Sequence, residues 1–383
     1  MPTARAIFSS LLVVCLGLPI AAGAAIIIDH SSTDIWAVPE PAIEQAKTNL
    51  HIAYGHTSHG GQIISGMGTS GGAQFDEFMT ANGATPELYL WNAGGANGAL
   101  DLRDTPFSGA NDLGNPDRYA WELATRNYLG SHPECNVIIW SWCGQASTTL
   151  DNIDIYLNLM EGLIADYPGV HFVFMTGHLD GTGESGLLNL ANNHIRAHCL
   201  AHDRILYDFA DIESYDPDAL THYMPLLAND NCDYDSDGNG SRDRNWALDW
   251  QDSHIEGVDW WPSGAAHSQH LNGNRKGYAA WWLWARLGGW TESGAPGPVA
   301  AGGGSPLLLC APNPAAPATM VRLELAEPGT VDLGVFSLDG RCVAKLHQGS
   351  MAAGVHVIPW SGTGDRGSAV DAGMYFVRVL TET

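Results

Sequence analysis

Between residues 50 and 289, short apolar runs alternate with stretches of helical periodicity, and this alternation restricts the possible folds more than any other feature. "LHIAYG" (50–55), "ELYLWN" (87–92), "NVIIWSW" (136–142), "VHFVFMTG" (170–177) and "RILYDFA" (204–210) each read as a buried strand. "DNIDIYLNLMEGLIADYP" and "GLLNLANNHIRAHCLAHD" carry apolar residues at helical spacing, and "KGYAAWWLWARLGG" closes the region as a helix with Gly after its end. Strands that alternate with helices predict an α/β domain with a mainly parallel sheet covered on both faces. Ligands bind such sheets beyond the carboxyl ends of the strands.

The alternation stops at "TESGAPGPVAAGGGSP", a Gly/Pro/Ala linker without periodicity that we place at 291–306. Residues 307–383 then read as short alternating strands between Gly-rich turns, the pattern of an all-β sandwich. A chain of 383 residues accommodates both an α/β domain over 25–290 and this smaller module.

The first 24 residues read as an export signal. Arg5 precedes the apolar stretch "IFSSLLVVCLGLPIAA", and "AAGAA" offers small residues for cleavage near Ala24. The expected location is therefore secreted or cell-surface, with no membrane span once the signal is removed. Asp plus Glu outnumber Lys plus Arg by 42 to 17, a formal charge of −25, which excludes nucleic acid and anionic membrane surfaces as partners and leaves neutral polymers. Outside the signal stand Cys135, Cys143, Cys199, Cys232, Cys310 and Cys342. Export and an even count predict disulfides, Cys310 with Cys342 in the small module among them, and the lack of CxxC spacing argues against structural zinc.

Several strand ends carry residues suited to chemistry. In "YGHTSHGG" Ser58 lies three residues past a strand end, with Gly55, Gly60 and Gly61 giving room for a tight turn and His56 and His59 beside it. An esterase nucleophile needs an exposed hydroxyl on such a turn and N–H groups free to bind an oxyanion; the alternative is a polar strand-to-helix turn with a capping hydroxyl. "LWNAGGANG" supplies Gly94 and Gly95, and "WSWCGQAS" supplies Gln145, as oxyanion donors. "MTGHLDGTGES" adds His178 and Asp180 to the same rim, as substrate contacts or supporting groups, or as an Asx turn.

In "NDNCDYDSDGNGSRDRNW" Asp233, Asp235, Asp237 and Asn239 alternate around Gly238, like the start of a calcium loop, with Asp243 near the closing position that Arg244 occupies. The alternatives are a structural calcium site and a solvated acidic loop. Among the 14 Trp, Trp260 and Trp261 sit in a polar loop and are the candidates for a substrate wall, whereas "WWLWARLGGW" reads as core.

In block order, residues 45–290 resemble the SGNH (GDSL-type) hydrolases, with "YGHTSHGG" as a variant first block, "NAGG" as the glycine block, "CGQ" where Asn is usual, and "AAHSQHLNGNRKGY" as the late block. The resemblance implies a three-layer α/β/α fold and serine ester hydrolysis without a cofactor. Ser58 would be the nucleophile and His267 or His270 the base; Asp259, eight residues before His267, is placed to orient it, with Asp252 as the alternative. The tail resembles the FlgD-like immunoglobulin-type module and the sorting tails of secreted bacterial proteins, through "PNP", "VFSLDGRCVAKL" and "GVHVIPWSGTGDRGSAVDAGMYFVRV". That implies bacterial secretion or cell-surface machinery as its partner.

The reading is thus a secreted esterase acting on a polysaccharide or other ester, an acetyl ester being the preferred case. Two alternatives stand beside it. One is a non-catalytic glycan-binding or surface protein on the same fold; the other is a metal-dependent enzyme using His56, His59, His178 and His267.

Overall fold

The computed structural model describes residues 25–291 and, in the C-terminal part, 307–311, 319–325, 328–337, 341–364, 368–370, 373 and 375–382. The expected leader at 1–24 lies outside the described residues, as does most of the expected linker.

From the N-terminal side the described elements are β1 (Ile26–Ile28), α1 (Glu40–Asn49), β2 (His51–Gly55), α2 (Gly61–Gly66), α3 (Ala73–Ala81), β3 (Trp91–Asn92) and β4 (Leu100–Asp104). There follow α4 (Ala120–Ser131), β5 (Val137–Trp140), α5 (Leu150–Asp166), β6 (His171–Met175), α6 (Leu187–Ala201), β7 (Ile205–Tyr207) and α7 (Phe209–Ile212). A small hairpin, β8 (Asp233–Tyr234) and β9 (Arg244–Asn245), precedes α8 (Trp246–Asp252) and α9 (His270–Gly288). The first seven strands form one parallel sheet in the order β1-β7-β6-β5-β2-β4-β3.

The two-residue period of a strand divides the core cleanly. Ile52, Tyr54, Val137, Ile139, Val173 and Met175 pack with residues of α1, α2, α3 and α9. Ala53, Ile138, Trp140, Phe172 and Phe174 pack on the other face with residues of α4, α5 and α6. The domain is therefore three layers, α/β/α. All residues of α9 except His270 and Arg286 are buried, so the tryptophan-rich helix is core, as its sequence predicts.

This topology fixes where a site can form. The helix after β2 lies on one face and the helix after β5 on the other, although β2 and β5 are neighbours. The chain reverses its direction of growth at that pair, which opens a crevice beyond their carboxyl ends.

Some expected elements differ. β1 and β4 were not anticipated, being very short or charged. Of "ELYLWN" only Trp91–Asn92 is strand. The N–H groups of Glu87 and Tyr89 donate instead to the two Asp76 carboxylate oxygens, each at 2.9 Å, so a carboxylate takes the place of a strand partner. "RILYDFA" stops as a strand at Tyr207 because the Asp208 side chain accepts the Asp211 N–H and starts α7.

The C-terminal part contains β10 (Leu307–Ala311), β11 (Thr319–Leu325), β12 (Gly329–Ser337), β13 (Cys342–Met351), β14 (Gly354–Trp360) and β15 (Tyr375–Glu382). They form two antiparallel sheets, β10-β11-β14 and β13-β12-β15. Val321 and Leu323 of the first share one core with Val331 and Leu333 of the second, as in a sandwich.

The disulfide expectation is corrected where it can be read. Cys135, Cys143, Cys199, Cys232 and Cys342 are free thiols, and the side chain of Cys310 lies outside the described residues. Among the described residues no helix is long and apolar enough to cross a membrane.

Candidate functional site

The loops that leave β2 and β5 meet in the crevice. After Gly55 the chain turns sharply through Thr57–Gly60 into α2. Gly60 is required there, because a Cβ would stand 2.1 Å from Ser141 Oγ and 2.5 Å from His56 Cβ. The close approach lays the turn against the end of β5 and directs the His59 ring over the β5 loop. His59 Nδ1 lies 3.2 Å from Cys143 Sγ, and His59 Nε2 lies 2.9 Å from Asp230 Oδ2. A thiol, an imidazole and a carboxylate are thus joined in line, the arrangement that activates a cysteine.

The charges support that arrangement. Burial works against a Cys143 thiolate, but contacts with the Thr57 hydroxyl and the His59 ring, the ring's charge and the His59 backbone N–H outweigh it, so the thiol titrates below its usual range. Burial likewise works against a charged His59, and its bonds to Asp230 and Cys143 more than compensate, raising it. Asp230 also loses solvation by burial, yet the His59 bond and the neighbouring rings hold it below the usual carboxylate range. All three shifts favour a thiolate–imidazolium pair backed by a carboxylate.

Two further rings flank His59. His178 stacks on it with centroids 3.7 Å apart and planes 3° from parallel, and His267 stacks at 4.8 Å. His178 Nδ1 bonds to the Leu179 carbonyl at 2.9 Å. A carbonyl only accepts, so Nδ1 carries the proton and Nε2 keeps its lone pair. Burial and the His59 charge lower His178, against an opposing effect of Glu213, so the ring on the face of a charged His59 is neutral. His267 reaches its place on a backbone with φ of 61°, a strained conformation for a residue with a side chain.

The expected residues are distributed differently from the sequence reading. Ser58 is exposed, and among the described residues its hydroxyl has no hydrogen-bond partner; neither late histidine is joined to it. The Gly264 N–H donates to His270 Nδ1 at 3.0 Å, which turns that ring toward its own loop and Trp260. Asp259 accepts the Ile255 N–H at 2.8 Å, closing a local turn rather than holding a histidine. Gly94 and Gly95 follow β3, on the far side of β4 from β2. Their N–H groups donate to Asp101 Oδ1 at 2.7 Å and to the Asn92 carbonyl at 3.3 Å, so they are not oxyanion donors in this arrangement.

Gln145 Oε1 accepts the Cys143 N–H at 2.8 Å and braces the thiol's loop. His56 bonds to the Thr57 carbonyl and to Asp104, at 2.9 and 2.7 Å. Asp180 accepts from Ser147 and Thr182, an Asx turn. Trp261 is 5% exposed and packs in the core with Phe75, so it is no substrate wall, whereas Trp260 stays half-buried.

The acidic loop is closed on itself. Asp235 is buried and accepts the N–H groups of Gly238, Asn239 and Gly240. Asp237 accepts from Asn239, Asp233 from Asn231 and Asn245, and Asp243 from Ser236. Among the described residues, the groups of three His, Cys, Asp or Glu with ligand atoms within 4.8 Å of one another are His59/His178/Asp230 and Asp29/His30/Asp211; the acidic loop is not one of them.

Cys143 and Asp230 were not singled out by the sequence. Cys143 is one of the six cysteines for which export and an even count predict disulfides, without a partner named for it, although "WSWCGQ" puts it at a strand end. Asp230, on the amino-terminal side of the acidic loop, carries no comparable signal.

In comparisons with known proteins, the chain matches no family profile and no curated protein. A solved structure of an engineered protein aligns over 94% of this chain and 96% of its own length at 13% identity, with a TM-score of 0.21, and carries no argument about this fold.

Proposed function

We propose that the chain is a thiol-dependent acyl hydrolase, with Cys143 as nucleophile, His59 as its proton acceptor and donor, and Asp230 orienting and charging the imidazole. The supporting observation is the in-line contact Cys143 Sγ–His59–Asp230, at 3.2 and 2.9 Å. The thiolate attacks an ester carbonyl and forms a thioester; His59 gives its proton to the leaving alcohol, then takes one from the water that releases the acid. The N–H of Gly144 follows the nucleophile and donates no hydrogen bond among the described residues, nor does that of Ser58; these two are the candidate oxyanion donors.

The resemblance to SGNH hydrolases supports the ester class and the use of these strand ends. It does not extend to the nucleophile, which moves from Ser58 to Cys143. Export, attachment through the C-terminal module and an acetylated polysaccharide as substrate belong to the same proposal. They rest on the leader pattern, on the tail motifs and on half-buried Trp260.

A metal centre on His59, His178 and Asp230 is the second reading, favoured by the closeness of their ligand atoms. It fits less well, since the lone pairs of two nearly parallel stacked rings run in parallel planes and do not converge on one ion.

The deciding experiment is intact-mass analysis after mixing with p-nitrophenyl acetate and rapid acid quench. One acetyl group on the peptide containing Cys143 supports the proposal. Turnover that leaves the thiol unmodified, disappears with chelator and returns with zinc overturns it. Three further outcomes are expected. Alkylation of Cys143 by iodoacetamide should already be fast below the usual thiol range, because the thiol is lowered, and activity should fall again at alkaline pH as raised His59 loses its proton. Asp230→Asn should shift the acid limb of that profile upward and slow turnover by about a hundredfold.

A further inference from the structure

Beneath the site lies a buried ion pair that the proposed chemistry does not use. We propose that Lys276 and Glu213 are positioning residues that hold the three loops carrying His59, His178 and His267 in register; this rests on the reading of Cys143 as nucleophile.

Lys276 and Glu213 have fully buried side chains, with Nζ 2.6 Å from Glu213 Oε2. Two charges taken out of water are retained only when other bonds satisfy them, and here each of those bonds leads to the site. Glu213 Oε1 accepts the N–H of Leu179, the residue after His178. Lys276 Nζ donates to Gln62 Oε1, in the first turn of α2 and three residues after His59. Gln62 Nε2 in turn donates to the carbonyl of Ala266 at 2.6 Å, the residue before His267. Asn272 adds a strut, donating to Glu213 Oε2 at 3.5 Å and to Ser268 Oγ at 2.8 Å.

One continuous chain of bonds therefore runs from the neighbour of His178, through Glu213, Lys276 and Gln62, to the neighbour of His267. Lys276 is fixed by its own helix, whose carbonyl at that residue accepts the Tyr207 hydroxyl at 2.6 Å, and its Nζ lies 3.6 Å above the Phe209 ring. Stability alone does not require such a pair, since apolar replacements of similar volume are often tolerated. What an apolar pair cannot do is accept from Leu179 and donate to Gln62 at fixed positions.

The test uses the full chain and two variants. Lys276→Met with Glu213→Gln removes one cation and one anion, so net charge is kept, and leaves an acceptor for the Leu179 N–H. Gln62→Met cuts the arm from Lys276 to Ala266, both its bonds included, and leaves the Glu213 arm to Leu179 in place. The groups facing the sulfur and its partner (Thr57, His59, Asp112 beyond Thr57, His178, Asp230 and His267) stay untouched in both. Expected for the double variant are a melting midpoint within about 5 °C of the parent and a roughly tenfold slower alkylation of Cys143 by iodoacetamide at pH 7, with its pH profile moved upward. Gln62→Met should shift the same profile in the same direction, and it decides the matter if the double variant does not fold. Parent-like rates and profiles in folded variants overturn the positioning role. A parent Cys143 that reacts no faster than N-acetylcysteine overturns the nucleophile reading instead.

Discussion

Cys143→Ala is expected to lose ester turnover by about three or more orders of magnitude, whereas Ser58→Ala keeps it within about threefold. The contrast follows from the partners of each group. A hydroxyl at residue 58 has no base among the described residues, so at neutral pH it stays protonated and a poor nucleophile. The sulfur at 143 has an imidazole at 3.2 Å, itself paired with a carboxylate at 2.9 Å. Cys143→Ser is the sharper variant. It keeps the shape of the site but replaces a thiol held below its usual range by a hydroxyl far above it, and turnover should fall nearly as far as with Ala. Initial rates on p-nitrophenyl acetate, with a circular dichroism melt to show that each variant is folded, measure this. A Ser58→Ala variant as inactive as Cys143→Ala would return the nucleophile to residue 58.

The fold was largely legible because apolar periodicity is a local property. "NVIIWSW" and "VHFVFMTG" announce β5 and β6 through residues that face alternate helical layers, and the closing helix is announced by its tryptophans. What escaped notice depended on distant partners. "ELYLWN" looked like a full strand, and nothing in its own residues shows that Asp76 would satisfy its N–H groups. The turn at 56–60 is legible in "YGHTSHGG", but the side chain that faces the chemistry is not. Whether Ser58 or His59 points inward depends on the close approach of Gly60 to Ser141, just past the end of β5 and 81 residues further along the chain. The carboxylate was further out of reach, because Asp230 lies 171 residues from His59 in the chain and meets it only after the region following α7 folds back over the crevice. Cys143 is visible in the sequence, but an export pattern and an even cysteine count point to disulfides in general and not to a reactive thiol at this position.

Gly277→Ala is expected to be, with Gly66→Ala, among the most damaging single-methyl changes in the α/β domain. Gly66 of α2 and Gly273 and Gly277 of α9 meet backbone to backbone. A Cβ at Gly277 would stand 2.1 Å from the carbonyl carbon and oxygen of Gly66, and one at Gly66 would stand 1.8 Å from the Gly273 oxygen. No side chain is present to swing aside, so a helix must move. Alanine normally favours a helix by up to about 1 kcal/mol over glycine, but overpacking a rigid contact costs about 1–3 kcal/mol and sometimes more. Contact on a backbone places this case at the upper end, about 2–3 kcal/mol net of the helix gain, or roughly 4–12 °C in melting temperature for a domain of this size. Gly130→Ala, near the end of α4 with nothing within 4 Å of the added carbon, is the control and should melt at or slightly above the parent. Because α2 begins just after His59 and α9 just after His267, parting the two helices also separates those rings. The surviving folded fraction of Gly277→Ala should therefore alkylate at Cys143 more slowly than the parent, measured at a temperature well below its melting midpoint, and a folded variant with parent-like stability would show that α2 can shift freely on α9.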